Sequence, residues 1–230
     1  INKYFLENDP SNLHWYEILR ERFPCHLYFD LEYPKHESLN ADVDGDALVD
    51  RLIEYTRARM KTDFDLAILD GDIYELDSTT DQKFSRHLII KVPGYAFYSS
   101  YVAGEFVRQV CADSGSSLLV KNRDGSTTYF VDTAVYTNNR LFRLAYSCKV
   151  GKTNNLMPTR RFAMAKTPRH TPAAVFRETL VTSVDAASSL LLVRPLISMS
   201  MGTQCETSEV IQQRRGVKRD HEFSFLPNKA

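Results

Sequence analysis

Along the chain, apolar residues recur either at every second position or at every third and fourth. In "CHLYFDLEY", residues 25–33, Leu27, Phe29 and Leu31 alternate with His26, Tyr28, Asp30 and Glu32, so an extended segment places the two sets on opposite faces. "FSRHLIIKV" (84–92) reads as a second strand and "RLFRLAYS" (140–147) as another. "SLLVKNRDGSTTYFVD" (117–132) holds two β-rich runs around an Asp-Gly pair, which predicts a hairpin. "DGDALVDRLIEYTRARM" (44–60) carries Leu48, Leu52, Ile53 and Tyr55 near helical spacing and predicts an amphipathic helix. Helices are also expected over "NLHWYEILRERF" (12–23), "FYSSYVAGEFVRQVCA" (97–112) and "TPAAVFRETLV" (171–181). Residues 201–230 are polar and aperiodic and read as a loose tail, and no internal repeat is present. Strands and helices intermix without steady βα alternation, which points to an α+β domain on a largely antiparallel sheet.

Composition narrows the possibilities. With 230 residues and 43% hydrophobic content the chain can bury a core. No apolar run reaches the ~20 residues a membrane-spanning helix needs, the longest being "SSLLLV" at 188–193, so no membrane role is expected. The chain begins with Ile1, which suggests a trimmed segment whose true N-terminus, with any targeting peptide, lies outside it. Cys25, Cys111, Cys148 and Cys205 are far apart with no CxxC pair; this argues against a disulfide framework and a zinc site and for buried thiols in a reducing compartment. The net charge of zero hides a division: Glu37 to Asp81 holds thirteen acidic and four basic residues, whereas Thr133 to Arg177 holds nine basic and no acidic ones. A segment with no compensating carboxylate attracts polyanions, and phosphates are the natural partner.

Candidate chemistry begins with Asp30 and Glu32. Same-face residues on a strand stand ~6.6 to 7 Å apart, so the pair can converge on one cation, or on two held ~3.5 to 4 Å apart. Mg²⁺ or Mn²⁺ would remove the repulsion between them; a solvated acidic face is the alternative. Asp132 ends the run "TYFVD" and either caps the following turn or adds a third ligand. Between them, Lys83, Ser85 and His87 share one face of the second strand, with Arg86 opposite. Three hydrogen-bond donors, two able to carry charge, suit phosphate oxygens. A Ser-His hydrolase is the rival reading, though no nucleophile elbow is present.

These stretches carry a resemblance. "CHLYFDLEY", "STTDQKFSRHLI" and "YFVDTAVYTNNRLFRL" stand in the order and surroundings of the three motifs of the archaeo-eukaryotic primase superfamily, over about Tyr16 to Lys152. The chain resembles most its eukaryotic primase-polymerase branch. The resemblance implies a catalytic core, residues 25–200, with a sheet like that of an RNA-recognition motif, preceded in 1–24 by the remnant of an N-terminal helical module. It implies metal ligation by Asp30, Glu32 and Asp132 in a two-metal site for Mg²⁺ or Mn²⁺. Nucleotide binding would fall to Tyr16, Lys83, Ser85, His87, Arg140, Arg143 and Lys149, and contact with DNA to Arg86, Lys152, Arg160 and Arg161. Leu141 stands where the family has a polar residue, which puts one nucleotide contact in doubt.

The implied activity is template-directed nucleotidyl transfer: extension of a primer from ribo- or deoxynucleoside triphosphates, with a role in replication past damage. Template-primer DNA is the expected partner, with a single-strand-binding protein reached through regions outside the chain. No zinc-binding module is discernible, so extension is favoured over starting a strand. Localisation follows the resemblance, nuclear or mitochondrial, and "RRGVKRD" (214–220) reads as a nuclear signal or a solvated basic run. A catalytically silent nucleic-acid-binding module and a metal-dependent nuclease are the other two classes the residues allow.

Overall fold

The computed structural model describes residues 13–35, 39–166 and 171–193. The tail 201–230, with the basic run 214–220 and Cys205, lies outside the described residues.

A four-stranded antiparallel sheet organises the molecule. Its strands are β2 (Leu27–Pro34), β3 (Ile73–Asp77), β4 (Lys83–Ile90) and β9 (Met157–Pro158), in the order β2-β4-β3-β9. The register of β2 on β4 sets Asp30 opposite His87 and Glu32 opposite Ser85, while Leu31 faces Arg86 and Phe29 faces Leu88. β3 continues this pattern, with Leu76 opposite His87 and Asp77 opposite Arg86. The alternation read in the sequence therefore sorts β4 into a face bearing Lys83, Ser85 and His87 and a face bearing Phe84, Arg86 and Leu88.

The second face meets helix α1 (Gly45–Phe64), which runs one turn beyond the expected end. Asp44 caps it by accepting from the amides of Asp46 and Ala47, and Asp65 ends it in the left-handed region, φ 57°. Leu48, Val49, Leu52, Ile53 and Met60 bury its inner side. A Cβ at Gly45 would collide with the Phe84 ring, so the missing side chain lets the helix start lie directly on β4. Helix α2 (Ser100–Asp113), capped by Ser99, adds Ala103, Phe106, Val107 and Val110 to the same core as Leu27, Phe29 and Leu31.

The other face is crossed by a two-stranded ribbon of β1 (Tyr16–Leu19) and β8 (Arg140–Arg143), antiparallel, with Tyr16 opposite Arg143. This corrects the helix expected over 12–23. Glu17 and Leu19 turn inward while Ile18 is half exposed, a two-residue period imposed by pairing with a strand more than a hundred residues away. The expected helix at 97–112 starts later, because β5 (Tyr95–Phe97) takes its first residue into a parallel pair with β10 (Ser189–Leu191). The hairpin is present as β6 (Leu119–Lys121) and β7 (Thr127–Tyr129), its turn containing Gly125 at φ 80°. Two 3₁₀ turns (Asp70–Asp72 and Thr133–Tyr136) and two short helices, α3 (Ala163–Lys166) and α4 (Pro172–Glu178), complete the described elements. Mixed helices with mainly antiparallel sheets bear out the α+β class. No helix among the described residues is long and apolar enough to cross a membrane.

Candidate active site

The free edge of β2 brings in the third carboxylate. Glu32 N donates to Phe130 O at 2.8 Å, Asp132 N donates to Asp30 O at 2.8 Å, and Leu31 bridges Val131. These backbone bonds set Asp132 beside Asp30, although the two are a hundred residues apart in sequence. The capping reading of Asp132 is met, its Oδ1 accepting from Ala134 N at 2.8 Å at the start of the 3₁₀ turn, and its charge also acts on Asp30.

Asp30 records the crowding. Burial, then the negative charges of Glu32 and Asp132, push its carboxyl up to about 6, against the pull of Lys149 and Lys83. Glu32 is ion-paired with Lys83, whose ammonium lies within contact of its Oε2. Gathered carboxylates of this kind have the oxygen chemistry that hard divalent cations take, and a cation would relieve the repulsion that raises Asp30. The donor set fits such an ion in type; among the described residues no group of three His, Cys, Asp or Glu side chains is closed into a ligand cluster.

Facing the carboxylates is the donor set of β4 and β8. His87 is 4% exposed, its Nε2 lies 3.7 Å from Asp30 Oδ1, and its ring stacks on Phe142 with centroids 4.2 Å apart. Burial, together with Arg143, Lys149 and Lys83, holds it well below the ordinary histidine range. His87, one of the two β4 donors able to carry charge, is thus biased toward its neutral form. Its buried Nδ1 has no hydrogen-bond partner among the described residues.

Arg143 is 6% exposed and donates from Nη2 to Ser78 Oγ at 2.7 Å. Its buried Nε has no hydrogen-bond partner, and no Asp or Glu pairs with it among the described residues. Burial lowers its proton affinity, which Asp30 partly restores. A buried cation lacking a paired anion is costly in isolation, so the site presents a standing demand for negative charge.

Tyr16 stands across from Arg143 on the ribbon and is half buried, while Arg140 and Lys149 are exposed. Of the cations assigned to DNA, Lys152 and Arg160 are exposed. Arg86 and Arg161 are placed elsewhere and are corrected: both lie on the helix face of the sheet and bind the fully buried Glu75 at 3.1 Å. Arg86 also holds Asp77 at 3.0 Å and Asp46 at 3.1 Å, and Arg161 holds Asp46 at 3.2 Å and contacts Asp50. Their charge is met by these carboxylates. A cavity of about 550 Å³ opens on that side, bounded by Asp77, Ser78, Arg86, Asn154, Arg160 and Arg161, and not over the carboxylates.

Ser78 is the site residue that sequence reasoning missed. It stands just past β3, at the parity of Leu76 and so on the carboxylate face, and it links Arg143 to Ser85. A serine near a strand end gives no sequence signal of such a role.

No protein-family model matches the chain. It is similar to proteins named DNA-directed primase/polymerase protein: 29% identical to that of Danio rerio over 248 residues, covering 90% of this chain and 46% of the relative. The protein of that name from Homo sapiens is 27% identical over 305 residues, 98% of this chain and 54% of the relative. That from Mus musculus is 30% identical over 197 residues, 65% and 36% respectively. The chain spans about half, or less, of the length of these relatives. Its similarity to known proteins thus runs to vertebrate proteins of that one name.

Proposed function

We propose that the chain is the catalytic part of a DNA primase-polymerase, a nucleotidyltransferase that extends a primer on a template from nucleoside triphosphates. The observation that supports this most is the placement of Asp30, Glu32 and Asp132 beside Lys83, Ser85, His87 and Arg143, the last with no paired anion among the described residues. The fold on this reading is the archaeo-eukaryotic primase core. Its catalytic unit takes in residues 25–200 together with β1, since β1 supplies Tyr16 and pairs with β8.

The reaction joins the primer 3′-oxygen to the α-phosphorus and releases pyrophosphate, so negative charge builds on phosphoryl oxygens. Divalent cations, Mg²⁺ or Mn²⁺, held by Asp30, Glu32 and Asp132 would lower the pKa of the attacking hydroxyl and offset charge on the leaving group. Arg143 offers its unpaired guanidinium edge to the triphosphate, and exposed Lys149 adds charge near Asp30 and His87. Lys83 is held in place by Glu32, and neutral His87 can donate one N–H to a phosphate oxygen without carrying a charge. Such preset donors need no reorganisation as charge develops. Exposed Lys152 and Arg160 are suited to the template-primer backbone.

Primer extension tests this reading, run with labelled primer-template, ribo- and deoxynucleotides, and Mg²⁺ or Mn²⁺. Asp30→Ala and Glu32→Ala are expected to abolish incorporation while the chain stays folded. Normal extension by either variant refutes the assignment. Shortening of labelled DNA with no nucleotide present would make the chain a nuclease. Binding of DNA without any cation-dependent nucleotide binding would make it a silent module.

A further inference from the structure

Arg143 and Ser85 come from different strands and from segments far apart in the sequence, yet a single hydroxyl joins them. Ser78, 5% exposed, accepts from Arg143 Nη2 at 2.7 Å and donates to Ser85 Oγ at 3.1 Å. The directions are constrained by chemistry. Arginine can only donate, so Ser78 uses a lone pair on Arg143, and the geometry sends its one proton to Ser85. Ser85 then has its own hydroxyl proton left to give. Among the described residues no acceptor takes it.

We infer that Ser78 is a positioning residue for the triphosphate, holding the Arg143 guanidinium beside the carboxylates and turning the Ser85 hydroxyl proton outward to a phosphate oxygen. A chain Arg143 to Ser78 to Ser85 makes two anion-binding groups behave as one unit, and the order of donation leaves an acceptor-only ligand as the group that completes it. Phosphate oxygens are such acceptors. The identity of the natural ligand rests on the polymerase reading above; the hydrogen-bond chain itself does not.

The hydroxyl is separable from the local fold. The Ser78 amide donates to Ser85 O at 2.9 Å and its carbonyl accepts from Asn154 Nδ2 at 2.9 Å, and neither bond involves the side chain. Thr79 secures the same corner, its Oγ1 accepting from the Ser85 amide at 3.1 Å. Removing the Ser78 hydroxyl therefore leaves the backbone held and frees only Arg143 and Ser85.

The test uses the full chain with Ser78→Ala, Ser78→Cys (which keeps the volume but offers a poor acceptor), Ser85→Ala and the Ser78→Ala/Ser85→Ala double variant. Inorganic triphosphate binding is read by calorimetry, and nucleotide KM, kcat and primer-template affinity are read separately. Ser78→Ala and Ser78→Cys are each expected to weaken triphosphate binding about tenfold and to raise nucleotide KM by a similar factor, because a hydrogen bond to a charged group is lost. Primer-template affinity should stay within about twofold, and the double variant should be no weaker than the worse single by more than about twofold, since the groups share one network. Wild-type triphosphate affinity in both Ser78 variants, multiplying effects in the double variant, or an equal loss of primer-template affinity would each overturn the inference. If wild-type chain binds triphosphate, Ser78→Ala weakens it, and no primer is extended, the inference stands and the polymerase reading falls.

Discussion

On the helix face of the sheet Arg86 and Arg161 close upon Glu75, Asp77, Asp46 and Asp50, while on the other face Asp30, Glu32 and Asp132 crowd together across from Arg143, which has no paired anion among the described residues. The two clusters are back to back, and adjacent residues of β4 serve them in turn: Ser85 and His87 one side, Arg86 the other. In the first, each buried charge has an opposite charge within about 3 Å, although Arg86 Nε and Nη1 meet their carboxylates without hydrogen-bond geometry. The second is unfinished: like charges raise Asp30, burial suppresses the charge on His87, and two buried nitrogens, His87 Nδ1 and Arg143 Nε, lack partners. Desolvated charge that a protein leaves uncompensated disfavours the folded state, so its persistence points to a partner from outside.

The comparison breaks most sharply by substitution on each face. Asp30→Asn removes a member of a self-repelling group, so primer extension is expected to fall about a thousandfold or more while the melting temperature holds or rises. A fall in melting temperature to match the lost activity would place Asp30 in the structural class. Glu75→Gln should do the reverse. Leaving Arg86 and Arg161 without their shared buried anion is expected to cost about 3–5 kcal/mol of stability by denaturant unfolding. A loss under about 1 kcal/mol would mean that Asp46, Asp50 and Asp77 satisfy both arginines without it.

Smaller effects refine the picture. His87→Ala is expected to raise nucleotide KM about tenfold with little change in DNA affinity, since a neutral donor contributes a hydrogen bond rather than a charge. Equal losses of both affinities would show His87 to be mainly a packing partner of Phe142. Glu17 gives a third type of buried carboxylate, satisfied by the amides of Val181 and Thr182 and the Thr182 hydroxyl, each about 3.0 Å away. Burial raises its carboxyl above the ordinary range despite these bonds. The folded chain thus binds that proton more tightly than the unfolded one. The associated stability is fully present below the unfolded value near pH ~4.3 and is lost as pH rises through the raised one. Denaturant midpoints across this range should decline with pH in the wild type and flatten in Glu17→Gln. An unchanged slope would exclude Glu17 as the source.

How far the site could be read in advance depended on the range of the forces that set each residue. Asp30, Glu32, Lys83, Ser85 and His87 were legible because alternation along a strand is a local property, so their shared face follows from parity once β2 and β4 exist. Arg86 was legible as facing away, but the same rule could not say that Glu75 and Asp77 would meet it there. Tyr16 came from the resemblance alone, and its surroundings read as helix, whereas pairing with β8 makes them a strand. The nine uncompensated basic residues of 133–177 suggested a polyanion surface, yet Arg161 from that run is spent on acidic residues of the first half of the chain.

By itself, the sequence determined the α+β class, the two central strands, the main helix and the carboxylate pair, since each depends on a period of two or of three to four that neighbouring residues impose on one another. Tertiary structure alone decided that β1 pairs with β8, that Asp132 reaches Asp30 through the Leu31–Val131 bridge, and that Ser78 joins Arg143 to Ser85. Those contacts join positions remote in the chain, and what selects them is burial and hydrogen-bond completion over the whole fold, which no local pattern encodes.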